Sequence, residues 1–322
     1  MKLIIQIPCY NEEKTLPEVL QDLPRELPGI DIIEYLVIDD GSTDRTAEIA
    51  GELGVHHVLS MGTNHGLAAT FLAGISKSLE LGADIIVNTD GDNQYDGRCI
   101  RDLIVPVVEG RLDIVVGARS IEDIKHFSRL KKKLQRAGSR VVRQFSGTNI
   151  PDTTSGFRAY SAEAAMRLHV FNRYTYTLET IIQAGHMNMR IGHVPINTNP
   201  KTRESRLISS TRLYVWRSMS IILRSYITYK PFRTFFYTSL VPAVLGLFLG
   251  LRFLYYFFVI GSGKGHLQSL ILAAILLIIA FNLFTLGILA DLISANRQLI
   301  QQAIFNTRKQ MYEKQKPAPE PG

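Results

Sequence analysis

The feature that most limits what this chain can fold into is a pair of long apolar runs in its last third. Residues 235–260 hold one charged residue, Arg252, and residues 269–292 hold one, Asp291, at the far end. At about 1.5 Å per residue, a helix needs about 20 apolar residues to cross about 30 Å of hydrocarbon. Both runs are long enough. A buried helical hairpin in a water-soluble fold is the alternative, but two adjacent runs this long and this apolar are unusual there. The polar stretch GSGKGHLQ between them reads as a short turn, so the two spans are expected to pair as an antiparallel hairpin.

Charge around these runs sets their expected orientation. Residues 201–234 carry eight Lys/Arg, the stretch after Asp291 carries five, and the connecting turn has only Lys264. The positive-inside rule then places both termini in the cytoplasm and the turn outside. The same asymmetry explains the formal net charge of +7. Residues 1–200 hold 21 Lys/Arg against 25 Asp/Glu, a net of −4, and residues 201–322 hold 15 against 4, a net of +11. A basic stripe beside apolar spans points to a membrane surface, and a nucleic-acid partner is not expected because the soluble part is net acidic. Around 207–228, Arg206, Arg217 and Arg224 fall within about 20° of one another at helical spacing. With Leu213, Trp216, Ile221 and Ile222 they predict an amphipathic helix lying in the interface. The N-terminal MKLIIQIPCYNE has too short an apolar run for a signal peptide and reads as a strand. Two cysteines, Cys9 and Cys99, make no disulfide framework.

Residues 1–200 alternate between strand-like and helix-like segments. The apolar runs LIIQIP (3–8), YLVIDD (35–40), HHVLS (56–60), ADIIVNTD (83–90) and LDIVVGAR (112–119) read as strands, with helical spacing between them. This predicts an α/β domain with a mainly parallel sheet covered on both faces. The expected organisation is a domain over 1–205, interfacial helices over 206–234, two spans over 235–292 and a cytoplasmic tail over 293–322.

In such sheets ligands bind beyond the carboxyl ends of the strands. No GxGxxG comes after the first strand and no Walker A lysine loop is present, which argues against a dinucleotide dehydrogenase or a P-loop NTPase. Carboxylates stand there instead: Asp39 and Asp40 after one strand, Asp90 and Asp92 after another. In TDGDNQY (89–95), Asp90, Asp92 and Gln94 are two apart, and on an extended backbone they face the same way. Three oxygen-bearing side chains suit a hard divalent ion, magnesium or manganese.

Six motifs then appear in order: IPCYNEE (7–13), VIDDGSTDRT (37–46), NHGLAAT (64–70), TDGDNQY (89–95), VGAR (116–119) and DTTSGFRAY (152–160). Together with the C-terminal hairpin they resemble family-2 glycosyltransferases of the GT-A fold. The resemblance is to the branch containing dolichol-phosphate mannose synthase and the membrane-anchored bacterial polyprenyl-phosphate glycosyltransferases. It covers nearly the whole chain. It implies inverting transfer of a hexose-type sugar from a nucleotide-diphosphate sugar, UDP- or GDP-linked, to a polyprenyl monophosphate at the cytoplasmic membrane face. It implies a homo-oligomer, with a tetramer as the expected form.

The resemblance also implies roles. Pro8, Tyr10, Asn11 and Glu12 would meet the nucleotide, Asp39 and Asp40 its base and ribose, and Asp90 its diphosphate. Asp90, Asp92 and Gln94 would hold the metal; the family commonly has Ala-Asp-Leu-Gln where this chain has Gly91-Asp92-Asn93-Gln94, so the oxygen ligands are kept. Arg119 would face the acceptor phosphate, with Asp152, Ser155 and Arg158 lining the sugar side. Glu179, in YTYTLET, matches an acidic residue near the sugar hydroxyls; the plainer reading is an exposed helix glutamate. Residues 119–143 carry nine Lys/Arg, read either as a solvated basic helix or as one offering Lys132 or Arg136 to the acceptor phosphate. The family's Gly/Ser/Lys-containing mobile loop is replaced by NPKTRESRL (199–207), where Arg203 and Arg206 would supply the charge. A processive synthase is disfavoured because no Gln-x-x-Arg-Trp motif is present, and a non-catalytic scaffold has no use for both the carboxylate set and Arg119.

Overall fold

Short β-branched runs form the strands, and the polar residues at the end of each strand decide where the chain turns. A computed structural model describes residues 1–119, 129–171, 175–199, 211–260 and 267–315, with the side chains of 129–137 and 211–218 outside that description. The strands are β1 (Lys2–Cys9), β2 (Ile32–Asp39), β3 (His57–Ser60), β4 (Ile85–Asn88), β5 (Ile114–Arg119), β6 (Arg158–Ser161) and β7 (Ile191–Ile196). They make one seven-stranded sheet in the order β3-β2-β1-β4-β6-β5-β7. All described pairings are parallel except those of β6, which runs antiparallel to β4 and β5. The expected mainly parallel α/β sheet is therefore present, with one reversed strand inside it. The chain leaves β1 for β2 on one side and reaches β4 on the other, so the crevice at a switch in strand order opens at the ends of β1 and β4.

Helices cover both faces: α1 (Leu16–Asp22), α2 (Thr46–Glu52), α3 (Leu67–Glu80), α4 (Ile100–Val108), α5 (Arg129–Ser146), α6 (Ala162–Arg167) and α7 (Thr177–His186). Alternation along the strands splits the core in two. Leu3, Ile5, Ile7, Val37, Ile85 and Val87 pack with α1 and α4 residues. Ile4, Leu36, Ile86 and Tyr160 pack with Phe71 and Ile75 of α3. The second layer turns polar just below the strand ends. Gln6 and Asn88 are opposite one another in the β1–β4 ladder, Asn88 and Arg158 in the β4–β6 ladder, and all three are fully buried.

The C-terminal helices are α8 (Thr211–Tyr229), α9 (Pro231–Phe258) and α10 (Leu267–Gln315). The chain divides into two compact units, Met1–Ile222 with Ile304–Gly322, and Leu223–Ala303. Both helices extend beyond the apolar runs. Pro231 opens α9 four residues before residue 235, at a position where a missing N–H costs nothing. The helix that holds the second run, α10, continues unbroken past residue 293 to Gln315. Phe305 and Tyr312 lie on one face of it and are buried, which gives its last turns a packing partner.

Within the second unit, α9 and α10 pack antiparallel. Phe232 and Phe236 meet Phe284 edge-on and Gly246 lies against Leu277, while Ser294 Oγ of α10 donates to the Thr228 carbonyl at the end of α8. Their most apolar windows are only 6% and 17% buried. A core hairpin of a soluble protein would hide that surface; this one presents it, as membrane spans do.

Phe71 is fully buried and its ring stacks on Tyr176 at 3.8 Å. Phe71→Ala is expected to destabilise the first unit by about 3–5 kcal/mol, read as a lowered midpoint in denaturant melts of the full-length protein.

Candidate active site

The loops after β1, β2 and β4 are tied to one another before any ligand is considered. Asn11 has φ +55° and stands at the centre of one knot: its N–H donates to Ser42 Oγ (2.9 Å), and its Oδ1 accepts from the Thr43 N–H (2.7 Å). The Glu12 N–H donates to Thr46 Oγ1 (2.8 Å). Thr15 Oγ1 lies 2.7 Å from Glu12 Oε2 and 2.8 Å from the Gly91 carbonyl, in reach of either for its one proton, and so bridges the β1 loop and the TDGDNQY loop. At Gly91 a Cβ would lie 2.9 Å from Cys9 Sγ, so only glycine lets the two loops approach this closely.

Carboxylates concentrate here. Burial first, and then Glu12, Asp39, Asp44 and Asp90, push the Cys9 thiol well above its ordinary value, which marks those four carboxylates as gathered around the end of β1. Glu12, Asp39 and Asp40 are buried; Asp90, Asp92 and Gln94 are half-buried; Tyr10 is exposed at the rim and Pro8 is enclosed in β1. Asp40 does structural work: Oδ1 accepts from the His65 N–H (2.8 Å) and Oδ2 from the Gly66 N–H (2.9 Å), fixing the entry to α3. Asp39 Oδ1 accepts from the Ser42 N–H (3.1 Å).

The 89–95 stretch is not extended, as the two-residue spacing argument requires. It turns at Gly91 and Asp92, and Asn93 has φ +53°. The Gln94 N–H donates to Asp92 Oδ1 (3.2 Å), so the aspartate folds the loop back on itself, as Asx residues do. Asp90 and Asp92 remain beside the crevice. No group of three His, Cys, Asp or Glu able to hold a metal occurs among the described residues. Two carboxylates at a strand end, with oxygen donors only, fit a hard cation whose remaining positions go to a ligand's oxygens.

Gly156 joins this wall to the next. Its N–H donates to Tyr95 Oη (3.1 Å), and its carbonyl accepts from Asn88 Nδ2 (2.9 Å) and Tyr176 Oη (3.2 Å). A Cβ there would lie 2.9 Å from Tyr176 Oη and 3.1 Å from Asp90 Oδ1, so the Asp90 carboxylate rests directly on the glycine backbone. Tyr95 stacks on Phe157 at 5.0 Å. Burial, opposed by Arg119 and assisted by Asp90 and Asp152, pushes its hydroxyl up to about 12.

Arg119, Arg158 and Glu179 are each held by hydrogen bonds within the protein. Arg119 Nε donates to Asp152 Oδ2 (2.7 Å), and Nη2 to Asp152 Oδ1 (3.2 Å) and Thr154 Oγ1 (3.0 Å). That fork ties Arg119 to the DTTSGFR loop through Nε and Nη2, so the arginine braces the loop. Arg158 is fully buried beneath the loop: Nε donates to Ser155 O (2.8 Å), Nη1 to Thr180 Oγ1 (2.7 Å), and Nη2 to Thr153 O (3.1 Å) and Thr177 O (2.9 Å). It holds the sugar-side loop from below. Glu179 is no exposed helix residue; it is 8% exposed and accepts from the Phe171 N–H (3.1 Å). Lys132 and Arg136 lie on α5 with side chains outside the described residues, and Arg203 and Arg206 fall outside them altogether. Gln6, Asn88, Tyr95 and Tyr176 carry the site yet escape sequence reasoning. Their one signal in the sequence is a glutamine and an asparagine inside otherwise apolar strands.

A parallel-sheet crevice lined by carboxylates and braced by buried arginines defines a GT-A-type glycosyltransferase. The chain belongs to glycosyl transferase family 2, whose sequence pattern matches residues 4–168. It is 30% identical over 206 residues to the undecaprenyl-phosphate mannosyltransferase of Micrococcus luteus, covering 61% of this chain and 83% of that one. It is 31% identical over 214 residues to the UDP-N-acetylglucosamine–dolichyl-phosphate N-acetylglucosaminyltransferase of Methanococcus voltae, covering 60% and 83%. The fold matches glucosyl-3-phosphoglycerate synthase from Mycobacterium tuberculosis, solved with Mn2+, uridine-diphosphate-glucose and phosphoglyceric acid. The TM-score is 0.58 at 18% identity, covering 70% of this chain and 79% of that one.

Burial pushes the Asp152 carboxyl up, but the Arg119 charge and the hydrogen bonds from Arg119 and Thr154 outweigh it and hold it below its ordinary value. A lowered folded value means a stabilisation complete above the unfolded value near 3.9 and lost as the pH falls through the folded one. Asp152→Asn is expected to melt well below wild type at pH 7, breaking a pair of a kind worth about 3–5 kcal/mol. The gap should narrow below about pH 4, read by melting temperature against pH.

Proposed function

We propose that this enzyme transfers a hexose-type sugar from a UDP- or GDP-sugar to a polyprenyl monophosphate at the cytoplasmic face of a membrane. The observation that carries the reading is the union, in one chain, of a carboxylate-lined strand-end crevice with an exposed apolar helix pair. The activities of the relatives above, which act on undecaprenyl and dolichyl phosphates, support it.

The acceptor is a phosphate monoester whose second pKa is about 6, so at pH 7 its oxygen is already mostly anionic and no strong general base is needed. That oxygen attacks the anomeric carbon and a new C–O bond forms. The bond from that carbon to the nucleotide's diphosphate breaks, and the nucleoside diphosphate leaves with the electron pair. Direct attack inverts the anomeric centre. Asp90 and Asp92, with Gln94 beside them, would hold magnesium or manganese, which when bound offsets charge on the leaving diphosphate. The chain's own groups provide placement. The knotted loops at Asn11 and Ser42 fix the nucleotide side, where Tyr10 offers an exposed ring and Asp39 a carboxylate for the ribose. The Asp152–Arg119 brace and Arg158 keep the DTTSGFR loop rigid on the sugar side. The acceptor phosphate would be met by Arg119, at the end of β5, and by Lys132, Arg136, Arg203 and Arg206 on the basic segments that follow it in the chain.

Charge on the flanks of α9 and α10 favours cytoplasmic termini, a cytoplasmic catalytic unit and a two-span insertion in the plasma membrane. Association through the hairpin, as a tetramer, completes the reading.

Donor turnover by full-length protein in nanodiscs is expected to rise sharply when polyprenyl monophosphate is added. Asp92→Ala should cut that turnover by at least about two orders of magnitude while leaving the melting temperature near wild type. Turnover indifferent to lipid phosphate, or an active Asp92→Ala variant, would refute the assignment.

A further inference from the structure

The last turns of α10 belong to the catalytic unit. Phe305 and Tyr312, two helical turns apart, are buried in the layer that holds Phe71, Met166, Leu168 and Tyr176. Between them Arg308 Nη1 donates to the carbonyls of Met166 (3.1 Å) and Leu168 (3.2 Å). These sit at the C-terminal end of α6, where a helix leaves its own carbonyls without internal partners. The Arg167 guanidinium lies 4.0 Å from the Phe305 ring centre, and Tyr312 Oη donates to the Ala83 carbonyl (3.0 Å).

The segment after α6 is held on its other side by α7. Gln183 Nε2 donates to the Arg167 carbonyl (3.1 Å), and its Oε1 accepts from the His169 N–H (3.1 Å). One turn earlier on α7, Glu179 Oε1 accepts from the Phe171 N–H (3.1 Å). Residues 167–171 are thus clamped between α10 and α7, and the amide that meets Glu179 lies just beyond the carbonyl that Arg308 holds.

We propose that Arg308 is a positioning residue for transfer: by holding Met166 and Leu168 it sets the path of 167–171 and, through the Phe171 amide, the orientation of the Glu179 carboxylate. The inference rests on reading Glu179 as part of the sugar side of the site. It makes the end of α10 a working part of the catalytic unit, so that the second apolar helix and the site share one continuous element.

The test uses full-length protein in nanodiscs with Arg308→Ala, Arg308→Lys, Glu179→Gln and the Arg308→Ala/Glu179→Gln double variant. By hydrogen exchange, Arg308→Ala is expected to speed the His169 and Phe171 amides about tenfold or more, with β1 and β4 amides unchanged, since a charged donor to two carbonyls is lost. Arg308→Lys should restore most of the protection. In transfer assays Arg308→Ala should lower kcat about tenfold, and adding it to Glu179→Gln should cost no more than Glu179→Gln alone. Unchanged exchange at 169–171 would overturn the clamp, and losses that multiply in the double variant would overturn the route through Glu179. Should Arg308→Ala unfold, Arg308→Gln, which keeps a neutral donor, carries the same comparison. If wild-type protein moves no sugar to polyprenyl phosphate, the proposed function fails, while the exchange arm still decides the clamp.

Discussion

Arg158 is a fully buried cation whose described hydrogen bonds all end on neutral oxygens: three backbone carbonyls and one threonine hydroxyl. Burying a charge is tolerable only when its donors are satisfied, and here the acceptors come from the DTTSGFR loop and the first turn of α7. Neither segment can move without stranding the guanidinium. The arginine is the end of a polar row, Gln6–Asn88–Arg158, that crosses β1, β4 and β6 one layer below the crevice. Gln6 Nε2 donates to Asn88 Oδ1 (2.8 Å), and Asn88 in turn donates to Tyr176 and Gly156. The apolar core ends at this row, and the chemistry begins above it.

From the row upward the site is built by close approach. Gly91 and Gly156 bring the carboxylate loop against β1 and against the sugar-side loop without side chains in between. Asp90 therefore stands on two backbone surfaces whose positions are fixed from below. The Arg119–Asp152 pair closes the far wall, with the Arg119 guanidinium 5.9 Å from the centre of the Tyr95 ring. Preorganisation of this sort lets a site hold a charged donor without reorganising during transfer.

The sheet is legible in the sequence because its strands are short apolar runs closed by polar residues, and the pair of long apolar helices because both runs reach the length that crosses a bilayer. The motifs locate the crevice. What they do not convey is direction. Arg119 and Arg158 sit within the expected motifs, but an arginine reads the same in sequence whatever it holds: Arg119 forks onto Asp152 and Thr154, and Arg158 is fully buried against carbonyls of the DTTSGFR loop and α7. Glu179 is misleading for a related reason. Its neighbours in sequence, Leu178 and Thr180, do not reveal that its carboxylate accepts from the Phe171 amide in the segment after α6. The continuation of α10 is hidden because Phe305 and Tyr312 are two aromatic residues in a polar stretch, and their docking surface is formed by residues more than a hundred positions earlier.

Charge obeys the same division of labour. In sequence, the acidic part carries the carboxylate-lined crevice and the basic part flanks the apolar helices; on the proposed reading the first serves the nucleotide and its cation and the second the anionic lipid. The central claim is that these two halves act on one molecule, and the mass of the lipid product tests it most directly. With polyprenyl monophosphate and a panel of nucleotide sugars, the account predicts a single new species heavier by one hexose-type residue and still carrying one phosphate. A lipid product carrying two phosphates, or free sugar with unmodified lipid, would contradict it.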